Sequence, residues 1–386
     1  MTSAPLRIAL FSGNYNYVRD GANQALNRLV GYLLRQGVEV RIYSPTTDTP
    51  DFEPTGDLVS VASVPLPFGR GEYRLARGLT GAARRDLARF KPDIVHVAAP
   101  DILGHRAISW ARKRGIPVLA SMHTRFETYP RYYGLAFLEP ALEAMLRRFY
   151  RRCDAVVAPS ESMAQVMREQ RMSYNIGIWA RGIDTSIFNP GQRDLAWRRS
   201  LGIGDAEPVI GFLGRLVMEK GLDVFSDAID QLRARGVPHK ILVIGEGPAR
   251  DWFEKRLPGA VFVGFQSGKD LGRAVASMDM LFNPSVTETF GNVTLETMAC
   301  GIPVIAARAT GSESLVLDGE TGRLVKPGAI SGFADALADY CTQPNLRAAH
   351  GLAGAKASQA YDWDAVNQAV LDQYRRLVTQ SAGRHG

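Results

Sequence analysis

Cysteine is scarce in this chain of 386 residues: Cys153, Cys300 and Cys341 are the three present. None forms a CxxC pair, and an odd, widely spaced set fits a reducing compartment with no disulfide framework. No apolar run reaches about 18 residues, which argues against a transmembrane helix. The first strand is entered by Leu6 with no basic segment and long apolar core before it, so no signal peptide is read. The turn after that strand, SGNYNYVRDGANQ, lacks the G-x-G-x-x-G dinucleotide fingerprint. There is no low-complexity segment and no solenoid repeat. Charge is nearly balanced, with 46 Lys and Arg against 39 Asp and Glu, a net +7. That sign admits a nucleotide, an anionic membrane surface or a nucleic acid and does not choose among them.

What is present is alternation. The length suggests two domains. Short apolar runs at Leu6 to Phe11, Val38 to Tyr43, Asp93 to Val97, Pro117 to Ser121 and Asp154 to Ala158 read as buried strands, with helical periodicity between them. The first intervening helix carries Leu26, Leu29, Val30, Leu33 and Leu34 on one face. The alternation restarts at Pro208 to Leu213 and continues through Lys240 to Ile244, Ala260 to Gly264, Asp279 to Asn283, Pro303 to Ala307 and Gly322 to Val325. Each half therefore reads as an α/β, doubly wound parallel sheet. RGIDTSIFNP, Arg181 to Pro190, shows neither period and reads as the connection.

The densest stretch is NPSVTETFGNVTLETMACGIP, Asn283 to Pro303. It reads as strand, loop and a helix from about Gly291 to Cys300, stopped by Gly301 and Pro303. A helix start facing a loop at a strand end offers free N–H groups and a positive dipole end, which suits phosphate. Glu288 and Glu296, as acceptors, suit hydroxyl groups of a ribose or a sugar. Arg215 and Lys220 follow the first strand of the same half in GRLVMEKG, where two cations would clamp a diphosphate. Gly245-Glu246-Gly247-Pro248 is a turn at the next strand end, with room for a ligand as a second account. In the first half, His123 closes a strand and Gly21 follows the first one. His96 reads as core; His105, His239, His350 and His385 have no partner in view. Nothing resembles a metal cluster.

The segment after Ser121 holds Tyr129, Tyr132 and Tyr133, then an apolar stripe of Leu138, Leu142, Met145, Leu146 and Phe149 ending in Arg147, Arg148, Arg151 and Arg152. Two readings stand: a core-facing helix whose arginines complement its dipole, or a surface helix that meets an anionic membrane or lipid acceptor.

These residues resemble the retaining GT-B glycosyltransferases of family four, nearly end to end. The family's E-x7-E is matched by Glu288 and Glu296, its GR-x4-KG by Gly214, Arg215, Lys220 and Gly221, its strand-end histidine by His123 and its glycine turn by Gly21. The resemblance implies two Rossmann-like domains facing a cleft: residues 1–184, to which 365–386 cross back, for the acceptor, and 185–364 for the sugar nucleotide. It implies that Arg215 and Lys220 hold the diphosphate, that Glu296 binds ribose, and that Glu288 with Phe290, Gly291, Asn292 and Val293 holds the sugar and β-phosphate. Val263, Gly264 and Phe265, beside Gly245, would follow the base, and His123 would touch the sugar near its anomeric carbon. No metal and no further cofactor is implied. A K-x-G-G signature near the first strand is missing, which argues against polyglucan synthesis. HTRFETYPRYYG with its arginine-rich helix is similar to the glycolipid branch, the sulfoquinovosyl- and glycosyl-diacylglycerol synthases and lipid mannosyltransferases. That similarity favours the membrane reading, a UDP-sugar donor, a lipid acceptor, no nucleic acid, and a cytoplasmic protein peripheral on the inner membrane face. A UDP-sugar 2-epimerase of the same fold, a transferase with a soluble or polysaccharide-precursor acceptor, and a membrane-surface binding protein that has lost chemistry remain as alternatives.

Overall fold

The computed structural model describes residues 4–18, 20–65, 73–127 and 135–383. The chain divides into two compact units, residues 1–181 with 363–386, and residues 182–362.

The strands of the first unit are β1 (Arg7–Phe11), β2 (Glu39–Ser44), β3 (Asp57–Ser60), β4 (Ser63–Pro65), β5 (Arg74–Ala76), β6 (Ile94–Val97), β7 (Val118–Ser121), β8 (Ala155–Ala158) and β9 (Ile176–Ile178). Among the described residues, seven of them form a parallel sheet ordered β3-β2-β1-β6-β7-β8-β9, and β4 and β5 pair antiparallel. Helices cover both faces, so β6, β7 and β8 are buried at every residue. That is why they read as unbroken apolar runs and not as alternating ones. One face packs Val95, Val97, Ala107, Ile108 and Phe149 together. The other packs Leu26, Leu29, Val30 and Leu33 of the first helix, Gly21–Arg35, with Val370, Leu371, Tyr374 and Leu377 of the last helix, Trp363–Ala382. Each such side chain contributes roughly 1.5–3 kcal/mol by leaving water.

The second unit carries β10 (Val209–Leu213), β11 (Lys240–Ile244), β12 (Val261–Phe262), β13 (Met280–Asn283), β14 (Val304–Ala307) and β15 (Gly322–Val325). Among the described residues they form a parallel sheet ordered β12-β11-β10-β13-β14-β15. Phe212, Phe225, Phe253 and Phe282 interlock on one face with ring centroids 4.8–5.7 Å apart. Arg198, fully buried, donates to Asp279 Oδ2 at 2.9 Å and to the carbonyls of Ser277, Gly204 and Glu207. Arg193 takes the other Asp279 oxygen at 2.8 Å. Removing one partner of such a buried network costs about 3–5 kcal/mol.

The strand order of each parallel sheet reverses once, between β1 and β6 and between β10 and β13. The crevice beyond the carboxyl ends of those strands is where open sheets of this kind take ligands.

Candidate functional site: the strand ends of the second unit

Three loops meet at the carboxyl edge of the second sheet. Gly214 donates its N–H to Ile244 O, Leu216 to Glu246 O, Ala249 to Leu216 O and Gly245 to Gly264 O. A side chain at Gly245 would collide with the Gly214 carbonyl, and one at Gly247 with the backbone of Leu216. These two glycines therefore serve loop-against-loop contact. On this ledge the Arg215 side chain is exposed and makes no ion pair among the described residues. Val263 donates to Val243 O and accepts from Gln266 Nε2. Gly264 has φ 72° and Phe265 is 70% exposed, so an aromatic face stands open at the β12 end of the edge.

The two helices that start at the switch point begin alike. The chain after β10 makes a single 3-10 turn, Met218–Lys220, and then helix Leu222–Ala234 from Gly221 at φ 74°. The chain after β13 enters helix Asn292–Ala299 from Gly291 at φ 97°. Neither helix has a side-chain cap bond. Their first N–H groups are thus left for another acceptor, and glycine is the residue that reaches this left-handed conformation cheaply.

Lys220 Nζ donates to Glu288 Oε1 at 2.6 Å, so a diphosphate candidate and a sugar candidate are paired with each other. The Glu288 loop is held from β14: Thr310 Oγ1 donates to Glu288 O at 2.7 Å, and a Cβ on Gly311 would lie 2.9 Å from the Phe290 backbone. Phe290 is buried against the Tyr361 ring. Asn292, Val293 and Glu296 are partly exposed on the helix start. Burial, and after it the neighbouring Glu288, pushes the Glu296 carboxyl up to about 8. Thr310 and Gly311 had no motif to mark them; their position after a strand of the same sheet was the available signal.

In the first unit, His123 follows β7 and its ring nitrogens are engaged by Ser121 Oγ at 2.8 Å and Arg181 Nη2 at 2.9 Å. Gly21 makes no turn. It is the first residue of its helix, because Asp20 caps that helix by accepting from Ala22 N and Asn23 N while Asn23 Oδ1 accepts from Asp20 N. The turn is closed instead by Asn14, whose amide donates to Val18 O and Asp20 Oδ2. The helix after β6 is capped the same way, Asp101 Oδ1 accepting from Gly104 N. Burial lifts the Asp101 carboxyl to about 6.

Other histidines have the partners that the sequence did not reveal. His96, buried in β6, meets Tyr374 Oη at 2.6 Å and Ser121 Oγ at 2.9 Å. His105 meets Arg152, His239 meets Val237 O, and His350 meets Tyr340 Oη. His385 lies outside the described residues, as do Tyr129, Tyr132 and Tyr133.

Helix Glu139–Tyr150 divides the two readings of its stripe. Leu146 and Phe149 are buried, while Leu138 is 39% and Met145 45% exposed, and Phe137 just before is 74% exposed. Arg147 donates to Gln170 O and to Glu143, Arg151 to Arg171 O, and Arg152 to Ser109 Oγ. Arg147, Arg148, Arg151 and Arg152 together line a shallow surface cavity of about 430 Å³. Among the described residues no helix is long and apolar enough to cross a membrane, and no group of three or more His, Cys, Asp or Glu could hold a metal ion. All three cysteines are free.

Two parallel-sheet units, each with its ligand edge at the switch point, define the GT-B class of glycosyltransferases. Residues 19–187 match the model described as Glycosyltransferase Family 4, and residues 207–343 the model described as Glycosyl transferases group 1. The chain is 31% identical to the GDP-mannose-dependent alpha-mannosyltransferase of Mycobacterium tuberculosis, over 98% of this chain and 99% of that one. It is 30% identical to sulfoquinovosyl transferase SQD2 of Arabidopsis thaliana, over 97% of this chain and 75% of that one. Among solved structures, sucrose-phosphate synthase from Thermosynechococcus elongatus superposes with a TM-score of 0.79 at 21% identity, covering 97% of this chain and all of that one. The chain belongs to glycosyltransferase family 4 and is a glycosyltransferase. The epimerase alternative has no support in these relatives.

Proposed function

We propose that the chain is a retaining transferase that holds a nucleotide-diphosphate sugar on the carboxyl edge of the second unit and passes the sugar to a lipid acceptor. The observation that carries this reading is the pair of uncapped, glycine-started helices flanking Arg215 and Lys220. Uncapped N-termini and two cations attract a diphosphate, and the cations neutralise its growing charge without calling on a divalent ion. On binding, Lys220 turns from Glu288 to the phosphate. Glu288 then accepts hydrogen bonds from sugar hydroxyls and Glu296 from the ribose. Phe265 offers its exposed ring to the base.

In the transfer step the bond from the anomeric carbon to the β-phosphate oxygen breaks, and the acceptor hydroxyl oxygen bonds to the same face of that carbon. The hydroxyl proton goes to the departing phosphate oxygen. Rate comes from holding the reactants and from stabilising the leaving diphosphate. No side chain needs to form a covalent intermediate.

The relatives leave UDP and GDP both in play: family likeness favoured a UDP-sugar, and the mycobacterial relative is named for GDP-mannose. The lipid acceptor and a peripheral place on the inner membrane face rest on the exposed Phe137, Leu138 and Met145 beside the exposed Arg148 and Arg151. A thermal-shift panel of UDP- and GDP-sugars tests the donor half, since a ligand of the native state raises its melting temperature. A donor that stabilises the wild type and not Lys220→Ala supports the reading; no shift from any of them contradicts it.

A further inference from the structure

Arg181 is the last residue of the first unit before the chain enters the second, and sequence reading left it in a connection. Its side chain is nevertheless buried, at 6% exposure. The guanidinium lies 5.1 Å from the centre of the Trp179 ring and donates to the carbonyls of Trp179 and Ala180. Its Nη2 stands 2.9 Å from His123 Nδ1. A guanidinium can only donate, so Nδ1 must accept and carries no hydrogen. In a neutral ring the hydrogen then sits on Nε2 and is donated to Ser121 Oγ, 2.8 Å away. Ser121 in turn meets His96 Nε2 at 2.9 Å, and His96 Nδ1 meets Tyr374 Oη at 2.6 Å. The sense of the chain is set at the arginine end.

We propose that Arg181 is a positioning residue for sugar transfer: it fixes His123 as a neutral ring with its hydrogen on Nε2 and both nitrogens turned inward. His123, the sugar-contact candidate of the first unit, then exchanges no proton in transfer. This role in transfer rests on the function proposed above; the tautomer itself does not. The surroundings agree. Burial, then Arg181, then His96 hold the His123 ring well below the usual imidazole range. Burial holds His96 at about 3. Among the groups facing His123 are Arg181, His96, Ser121 and the Trp179 ring. The Asp20 carboxylate offsets part of the cost of burying the Arg181 charge, which burial lowers to about 10.

The direct test is nitrogen NMR of histidine-labelled wild-type protein between pH 5 and 8. The expected result is one His123 ring with a bare Nδ1, a protonated Nε2 and no titration in that range. A hydrogen on Nδ1, or titration near the free imidazole value of about 6.5, overturns the proposal. The kinetic test is hydrolysis of GDP-mannose, UDP-glucose and UDP-sulfoquinovose without acceptor, by wild type, Arg181→Met and Arg181→Lys. With the donor that is turned over, kcat falls at least about tenfold in Arg181→Met. The donor KM stays within about twofold, because nucleotide contacts lie in the second unit, and Arg181→Lys recovers part of the rate. Arg181→Met combined with His123→Ala is no slower than His123→Ala alone. Additive losses, or a loss confined to KM, overturn the positioning role. If the NMR result holds and no donor is bound, the tautomer stands and the proposed function fails.

Discussion

The two units share a strand order and differ at the helix starts on their ligand edges. In the first unit, both switch-point helices are capped by aspartate, Asp20 and Asp101. In the second, both start at a left-handed glycine, Gly221 and Gly291, with no side-chain cap. A carboxylate at a helix start satisfies the free N–H groups and turns anions away; a glycine leaves them for a ligand. The cations follow the same division. Arg181 of the first unit is spent inside, on His123 and two carbonyls, while Arg215 of the second stays exposed. One topology therefore gives a closed edge and an anion-receptive one, and the difference lies in a few loop residues.

That contrast can be broken in several places, and the largest effect falls on two residues of the second unit, Lys220 and Glu296. Lys220→Ala lowers sugar transfer by at least about 10³-fold with an intact fold, a loss of the size expected when a charge-stabilising group is removed, and Glu296→Ala abolishes it by removing the acceptor for the ribose. Normal turnover in either variant removes the second unit from the chemistry. Next comes a transplanted cap. Gly291→Asp puts a carboxylate at a helix start that has no side-chain cap, at a φ of 97° that strains any side chain but where the new Cβ meets only ordinary contacts, and weakens nucleoside diphosphate binding about tenfold or more. The reverse change, Asp20→Ala, costs the first unit about 1 kcal/mol in a melting experiment and leaves nucleotide affinity alone.

A smaller effect concerns proton binding at Glu296. Its carboxyl is raised from the ordinary 4.5 to about 8. Between those values the folded chain keeps a proton that the unfolded chain has lost, so this group makes stability fall as pH rises across that window. Glu296→Gln removes the slope: it melts above wild type at pH 8, and the gap closes toward pH 4.5. His96 acts in the opposite sense, since unfolding lets it take up a proton below its free value. The smallest effect is at the surface. Arg148→Ala with Arg151→Ala lowers sedimentation with anionic vesicles by about 1 kcal/mol per residue and leaves donor hydrolysis unchanged.

Much of this was legible in the sequence because the relevant signals are local. Runs buried on both faces gave the strands, and Gly291 and Gly301 bounded the helix that carries Glu296. Strand-end position then picked out Arg215, Lys220 and Glu288. What escaped depends on partners distant in the chain. Arg181 finds His123 58 residues away, and Arg198 finds Asp279 81 residues away, and neither leaves a periodic trace. Gly21 reads as a turn in sequence and is the first residue of a helix, because Asp20 and Asn23 form a capping box. The Lys220–Glu288 pair is likewise invisible in sequence, because its two members stand 68 residues apart on the loops after different strands.

Calorimetric titration of UDP and GDP into the wild type, Gly291→Asp and Asp20→Ala tests the difference between the edges most directly. The expected result is that one of the nucleotides binds the wild type and Asp20→Ala equally and Gly291→Asp at least about tenfold more weakly. Equal binding to the wild type and Gly291→Asp, or a loss on changing Asp20, would contradict the assignment of the diphosphate to the uncapped helices of the second unit.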